Sequence, residues 1–399
     1  MTFSEYVHHE IKALPASARH PVPLSGLDYA QELAVKNNAL KRLWEACRLP
    51  QHPSPVVPSP KPRHYRTTTK RHAFLQNGNL RLSFSPMGAH KSGAEEDPSV
   101  LEPAEHPALY SFLGEKLNEP FFRELAGNLN YIVLRGSYAE RCVILNVGKL
   151  SGPIVKKAKI LAARLPEFDK RVFSSFLFLD PTQSAYYLDT GRIDGDIKIK
   201  KLFGPDTLSV GFGAGKYKYP PVVFSQINES MVPVMLSKSK ELLSPSMNEH
   251  LIDLYCGYGL FTHYLAPFYA HACGLEASRE SVTAAESNGR FFPAGKRTTF
   301  DAVRIDGGSF VRKLPRPGCH PEACVTDPPR QGMPAQAIAA LCGRGPVKVL
   351  EACCGTDGIA GQVAAFQSNG YALKSAVPLD MFAGTPHLET LLLFEPRGN

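Results

Sequence analysis

The sequence predicts an α/β fold: a C-terminal Rossmann-like domain with a mostly parallel sheet, preceded by an α+β domain built on an antiparallel sheet. Two observations carry this. From Gln226 onward short apolar runs alternate with helical ones, the order that produces a parallel sheet covered on both faces. Between about 60 and 215 strand-like runs follow one another closely with one helix among them, which fits an antiparallel sheet carrying a helix. The 399 residues also exceed what one hydrophobic core usually organises.

Residues 27–47 repeat apolar positions at helical spacing and predict an amphipathic helix. The next segment, QHPSPVVPSPKPRHY, is so rich in proline that it reads as an extended linker or arm. Tyr65 to Phe84, YRTTTKRHAFLQNGNLRLSF, alternates Thr and aromatic residues with cations around Asn77-Gly78, and predicts a β-hairpin with a basic face. Residues 87–107 read as a surface loop. Strands are expected at 131–135, 141–147, 174–179 and 185–189, with a helix over 153–165. In the C-terminal half, MVPVMLSKSKELL, SRESVTAAESNGRFF and PAQAIAALC read as helices, and LIDLY, AHACGLE, EACVTD and VKVLEAC as strands. The expected division is an N-terminal helix and proline-rich linker at 1–59, an α+β RNA-binding domain at 60–220 and the Rossmann-like domain at 221–399, with the RNA assignment resting on the resemblance drawn below.

Hydrophobic residues at 43% and charged residues at 21% describe an ordinary globular chain, which excludes fibrous and disordered classes. The 45 Lys and Arg against 37 Asp and Glu leave a net charge of +8, mildly favouring a polyanionic partner. Nine cysteines at 47, 142, 256, 273, 319, 324, 342, 353 and 354 form no C-x-x-C pair, so neither a structural zinc nor an iron–sulfur site is expected. The start MTFSEYVHHEIKAL has no basic-then-apolar leader pattern, and no apolar run reaches the ~20 residues of a membrane span. A cytoplasmic monomer with reduced thiols is the expectation.

Three marks point to chemistry. Leu251–Tyr255 leads into Cys256-Gly257-Tyr258-Gly259 and then a helix, so glycines at a strand-to-helix turn let a ligand approach the backbone closely. The next strand ends in Gly274-Leu275-Glu276, an acid about 20 positions on, placed to accept ribose hydroxyls of an adenosine-containing cofactor. Asp327-Pro328-Pro329-Arg330 follows an apolar strand, and two prolines there end the ladder and make a rigid loop at the carboxyl edge, where α/β folds bind ligands.

In order, YRTTTKRHAF, LFGP at 202–205, FSQIN at 224–228, LYCGYGLF at 254–261, GLE at 274–276, TDPPRQGM at 326–333 and LDMFAGTPHLE at 379–389 make the chain resemble the S-adenosylmethionine-dependent RNA uracil-C5 methyltransferases, which make 5-methyluridine in tRNA and rRNA. The resemblance covers most of 60–395. It implies a class I methyltransferase domain, with Gln226, Tyr255, Gly257, Gly259, Glu276, Asp306 and Asp327 contacting the methyl donor S-adenosyl-L-methionine. Family members with an iron–sulfur cluster carry four cysteines near the N-terminus; Cys47 alone stands there, so no cluster is expected, and no separate N-terminal β-barrel is seen. The family's Ser-Cys-Asn-Pro is replaced by Cys353-Cys354-Gly355-Thr356, and counting back without gaps from Gly370-Tyr371 and Asp380 places Cys354 at the nucleophile.

The implied chemistry needs a thiol and a base. Carbon 5 of uracil is too weak a nucleophile unaided, so a thiolate adds to carbon 6, and a base later removes the proton from carbon 5. Cys354 and Glu389 are the expected pair; His387 stands near enough to orient the base, but is read as structural rather than catalytic. The target base must leave its stack, so the structured RNA, tRNA or rRNA, would be held by backbone contacts. Arg63, Tyr65, Arg66, Lys70, Arg71 and His72 are candidate phosphate and stacking contacts, extended by Lys198, Lys200 and Lys201. Two other readings stand beside this one: an RNA-binding relative that has lost catalysis through its altered loop, and a base methyltransferase acting on an exocyclic amine through the Asp-Pro-Pro loop.

Overall fold

The computed structural model describes residues 1–12, 24–84, 98–186, 188, 198–212, 215–316 and 320–398. In chain order its helices are α1 (Phe3–Lys12), α2 (Tyr29–Ala46), α3 (Glu105–Leu117), α4 (Arg123–Ala126), α5 (Gly152–Ala163), α6 (Leu165–Phe168), α7 (Val232–Leu243), α8 (Leu260–Leu265), α9 (Arg279–Asn288), α10 (Ala335–Arg344) and α11 (Ile359–Ser368). The strands are β1 (Thr69–Gln76), β2 (Asn79–Ser83), β3 (Leu129–Gly136), β4 (Arg141–Val147), β5 (Val172–Leu179), β6 (Lys198–Phe203), β7 (Leu208–Phe212), β8 (Gly215–Tyr219), β9 (His250–Leu254), β10 (His271–Glu276), β11 (Thr298–Ala302), β12 (Glu322–Thr326), β13 (Lys348–Cys353), β14 (Tyr371–Leu379) and β15 (Glu389–Pro396). β7 and β8 pair as a two-stranded ribbon.

The smaller compact unit comprises 64–210 and 219–229. Its six-stranded sheet runs β2-β1-β3-β4-β5-β6, antiparallel throughout except for the β4–β5 pair. The hairpin expected around Asn77-Gly78 is present: Gln76 pairs with Asn79, and both turn residues have positive φ, 52° and 79°. That is the backbone which Asn-Gly favours and which matches the twist of the strands it joins. β3 and β4 are buried along nearly their whole length, because α3 and α5 cover the sheet and give it a core of Leu109, Leu113, Ile132, Val143, Leu145, Ala158 and Leu161. The strand expected at 185–189 is not formed where the chain is described, since Ala185 lies in a bend and Leu188 in a turn, and the rest of that stretch lies outside the described residues.

The larger unit comprises 1–63, 211–218 and 230–399. Its seven-stranded sheet has the order β11-β10-β9-β12-β13-β15-β14, with the first five strands parallel and β15 antiparallel between β13 and β14. The α/β expectation is therefore met, and every strand and helix read from 226 to 353 is found.

The first 63 residues group with this sheet. Asp28 caps α2 by accepting a hydrogen bond from the Ala30 N–H at 3.0 Å. Val35, Ala39, Leu40, Leu43 and Trp44 then form a buried stripe at helical spacing. They join one core with Phe3, Val7, Cys324, Ile338, Val363 and Leu392. The proline-rich segment runs beside β14: Ser54 N–H donates to the Ala376 carbonyl, Val57 N–H to Pro378, and Asp380 N–H to Val57. This packing makes Leu40 a structural side chain. Leu40→Ala should destabilise the larger unit by about 2–5 kcal/mol in urea titration, followed by the emission of Trp44, the chain's one tryptophan.

Candidate active site

The strand register collects the candidate residues at one edge of the larger sheet. Leu275, Leu254, Thr326 and Glu351 are level with one another across β10, β9, β12 and β13. The residues that follow these strands therefore emerge together at the carboxyl edge. Since β15 runs the other way, its first residue, Glu389, starts at this same edge. Cys353 pairs with Thr390. Cys354 follows directly, in a bend just past the last ladder pair, and Glu389 directly precedes Thr390 on β15.

The turn after β9 has an unusual backbone. Tyr255, Gly257 and Gly259 have φ of 62°, 54° and 84°. A tyrosine in the left-handed region is strained, and such strain gathers at ligand sites. The two glycines answer different needs. A Cβ on Gly259 would lie 2.8 Å from the His263 ring, whereas one on Gly257 would meet nothing within 4 Å. Gly257 thus faces open space, and its N–H donates at 3.1 Å to the Glu276 carboxylate, which also accepts from Ser278 N–H at 2.9 Å. An open glycine beside an anchored carboxylate at a strand end fits an adenosine-containing donor. Tyr255 donates through its hydroxyl to the Ile305 carbonyl at 2.8 Å, next to Asp306, which is exposed and pairs with Arg304 at 3.0 Å. Gln226 belongs to the smaller unit and is half-buried there.

The two cysteines differ. Cys353 is buried at 4% exposure and donates weakly from its thiol to the Gly355 carbonyl at 3.5 Å. Burial pushes its pKa up, and the charges of Glu351 and Glu389 add to this. Cys354 is half-buried. Burial pushes its thiol up to about 12, with Glu389 and Asp327 adding to the rise and Arg330 opposing it. Cys354 therefore faces two carboxylates and one guanidinium. Gly355 is explained by space, since a Cβ there would lie 2.3 Å from the Arg330 carbonyl. The Asp-Pro-Pro-Arg loop thus presses on the thiol loop.

Glu389 is 2% exposed, and its Oε1 has no hydrogen-bond partner. Burial raises its pKa well above the usual carboxylate range, Asp327 raises it further, and Arg330 pulls it down. His387 is exposed, and its ring meets Phe382 edge-on at 6.4 Å.

Sequence reasoning misses Glu351. It is fully buried two residues before Cys353, neither of its carboxyl oxygens has a partner, and burial raises its pKa to about 8. A single acid inside the apolar run VKVLEAC is the signal that could have found it. Arg330 is likewise visible in TDPPRQGM, but nothing in that motif alone aims it at the thiol.

The expected RNA contacts divide. Arg63 pairs with Glu32 at 2.8 Å and donates to the carbonyls of Leu24, Ser25 and Leu27. Tyr65 is fully buried. Arg71 makes a buried two-pronged pair with Glu102, both bonds 2.7 Å, and stacks over Phe84. These three serve internal packing, because a fork of donors in a low-dielectric site is drawn to a carboxylate or to carbonyls. Arg66 and Lys70 instead line a cleft of about 420 Å³ in the smaller unit, with Phe84, Phe224 and Ser225. Phe224 is 60% exposed. His72 meets the Tyr131 ring edge-on at 6.3 Å. Lys200 is exposed, Lys201 pairs with Asp206 at 2.8 Å, and the Lys198 side chain lies outside the described residues. No helix among the described residues is long and apolar enough to cross a membrane, and no group of three or more His, Cys, Asp or Glu among them could hold a metal ion.

Fold and site together define a class I S-adenosylmethionine-dependent methyltransferase architecture joined to a second α+β unit. Comparisons with known proteins narrow the class. The tRNA (Uracil-5-)-methyltransferase family matches residues 191–298. An "Uncharacterized RNA methyltransferase" of Enterococcus faecalis is 27% identical over 381 residues, 93% of this chain and 80% of that protein. Another from Nitratidesulfovibrio vulgaris is 31% identical over 219 residues, 54% of this chain and 44% of that one. The Pyrococcus abyssi tRNA (uracil-54, C5)-methyltransferase, solved in complex with S-adenosyl-L-homocysteine, matches in fold with a TM-score of 0.66 and 21% identity, over 96% of this chain and 87% of that one. The resemblance read from the ordered motifs is borne out, and with it the enzyme class, an S-adenosylmethionine-dependent RNA (uracil-5-)-methyltransferase.

The buried acid Glu351 leads to a pH prediction. Its folded pKa lies above its unfolded one, so its stabilising contribution is whole below the ordinary carboxylate range and falls away as pH rises towards about 8. Glu351→Gln should lose less Tm between pH 5 and pH 8.5 than the parent chain, as read by calorimetry. An equal loss in both would mean that Glu351 ionises as freely in the fold as in water.

Proposed function

We propose that the chain methylates carbon 5 of a uridine in structured RNA, tRNA or rRNA, with Cys354 as nucleophile and Glu389 as base. The observation that supports this best is the Cys353–Thr390 ladder pair, which leaves Cys354 and Glu389 each one residue from it, with Asp327 and Arg330 among the charges that act on the thiol. Gly257, Gly259, Tyr255, Glu276 and Asp306 would hold the methyl donor, and Asp327 stands between that pocket and the thiol. Bound S-adenosylmethionine supplies the electrophilic methyl that carbon 5 takes up. Gln226, in the smaller unit, is kept as a donor contact on the strength of the resemblance alone.

Cys354 enters the reaction as a thiol, since its pKa lies far above neutrality. A neighbouring carboxylate must take its proton as sulfur adds to carbon 6; of the two whose charges act on the thiol, Asp327 takes it, which leaves Glu389 free for the later proton. Arg330 steadies the thiolate as it forms. Once carbon 5 carries the methyl, Glu389 accepts the carbon 5 proton, the electron pair restores the C5–C6 double bond, and the C6–S bond breaks to return the thiolate. Burial strengthens Glu389 as an acceptor by raising its proton affinity. Arg66 and Lys70 would meet RNA phosphates, and Phe84 and Phe224 would offer stacking faces.

RNA carrying 5-fluorouridine tests the reading, because fluorine at carbon 5 cannot leave as a proton and the covalent adduct persists. With donor present, the parent chain and Cys353→Ala should form a gel-stable adduct and Cys354→Ala should form none. Glu389→Gln should form the adduct yet lose turnover on uridine by about 100-fold or more. An adduct lost in Cys353→Ala and kept in Cys354→Ala would exchange the two roles. Donor binding without any adduct in the parent chain would favour the catalytically silent relative or the amine methyltransferase.

A further inference from the structure

A buried ion network outside the reacting groups holds the turn that leads into Glu389. Tyr29, Glu32 and Lys36 lie on one face of α2, at i, i+3 and i+7. Lys36 Nζ donates to Asp380 Oδ1 at 2.5 Å, to Glu32 Oε1 at 2.9 Å and to the Phe382 carbonyl at 3.4 Å. The Tyr29 hydroxyl donates to Asp380 Oδ2 at 2.8 Å and accepts from Ser59 N–H at 2.6 Å. Glu32 Oε1 accepts the Gly384 N–H at 2.5 Å, and Arg63 pairs with Oε2. Lys36, Glu32 and Asp380 are completely buried. The two cations, Lys36 and Arg63, balance the two carboxylates.

Three points of one turn are therefore fixed from a single helix face: the Asp380 side chain, the Phe382 carbonyl and the Gly384 N–H. Gly384 has φ of 80°, a left-handed position that lets the chain reverse towards β15. Five residues later β15 begins with Glu389. A buried ion network is weak evidence of stability, since hydrophobic replacements of such pairs often stabilise as well; fixing one arrangement among several is its better-attested use.

We infer that Lys36, Glu32 and Asp380, with Tyr29, are positioning residues for Glu389, and that α2 is a working part of the proton-removal step. This rests on the function proposed above. In that step the C5–H bond breaks, its electron pair restores the C5–C6 double bond, the C6–S bond breaks, and the proton passes to Glu389. A base displaced by a fraction of an ångström loses this transfer, while the thiol just after β13, outside the network, keeps its place.

Two measurements on the full chain separate the steps: capture of 5-fluorouridine RNA, which stops before proton removal, and release of tritium from [5-³H]uridine RNA in a single turnover, which requires it. Lys36→Met and Asp380→Asn should capture within about threefold of the parent rate and release tritium about 10- to 100-fold more slowly. Lys36→Arg should recover part of the release. Tyr29→Phe, which removes one hydrogen bond and no charge, carries the test if the other variants do not fold. Capture and release falling in parallel would mark the network as merely structural, and release at the parent rate would disconnect it from Glu389; either overturns the inference. A parent chain that forms no adduct would overturn the proposed function and this inference with it, whereas a capturing parent and failing variants would sink only the latter.

Discussion

The reversed strand β15, inserted between β13 and β14, is the constraint on which the site depends. In a wholly parallel sheet the residue at the start of a strand lies at the edge opposite its ligands. Reversal puts the first residue of β15 at the carboxyl edge, one ladder step from the end of β13. Cys354 and Glu389, 35 positions apart in sequence, are each one residue from the Cys353–Thr390 pair. Hydrogen bonds along a ladder set such a spacing more firmly than loops would.

This geometry imposes an electrostatic load. Asp253, Glu351, Glu389 and Asp380 are all buried in one unit, and burial raises the pKa of each. The fold treats them differently. Asp380 receives an ammonium and a hydroxyl, and Asp253 accepts from the Thr262 hydroxyl at 2.5 Å. Glu351 has no hydrogen-bond partner, and Asp253 and Glu389 each keep one oxygen without any. A paired acid holds a position; an unpaired one retains its appetite for a proton. The division matches the proposed chemistry, in which Asp380 anchors a turn and Glu389 accepts a proton.

Much of this is legible in the chain. The alternation of apolar runs and helices after Gln226 reveals the parallel sheet, because buried strands and amphipathic helices have different periods. Asn77-Gly78 marks its hairpin because few residues tolerate two successive positive φ values. The ordered motifs locate the glycine turn after β9 and the thiol loop. Pairing across distance is not legible. Nothing local distinguishes Arg71, buried on Glu102, from Arg66, which lines the cleft, since both are cations in one basic segment. The Glu32–Lys36 pair looks like an ordinary exposed i,i+4 contact until Asp380 arrives from 344 residues away. The proline-rich segment reads as a linker because its composition shows stiffness, while its docking on β14 depends on hydrogen bonds to a strand more than 300 residues later.

That docking also bears on solubility. β14 is an outer strand of the seven-stranded sheet, and a bare strand edge is a template for pairing with any extended chain. The arm occupies that edge through Ser54 and Val57. Pro53, Pro55, Pro58 and Pro60 have no N–H, so the arm lacks many of the donors with which it might recruit another strand in turn. The proline composition is thus a terminator for the sheet: it seals the edge next to the turn that carries Asp380 and leaves the sheet with a border that does not propagate from one molecule to the next.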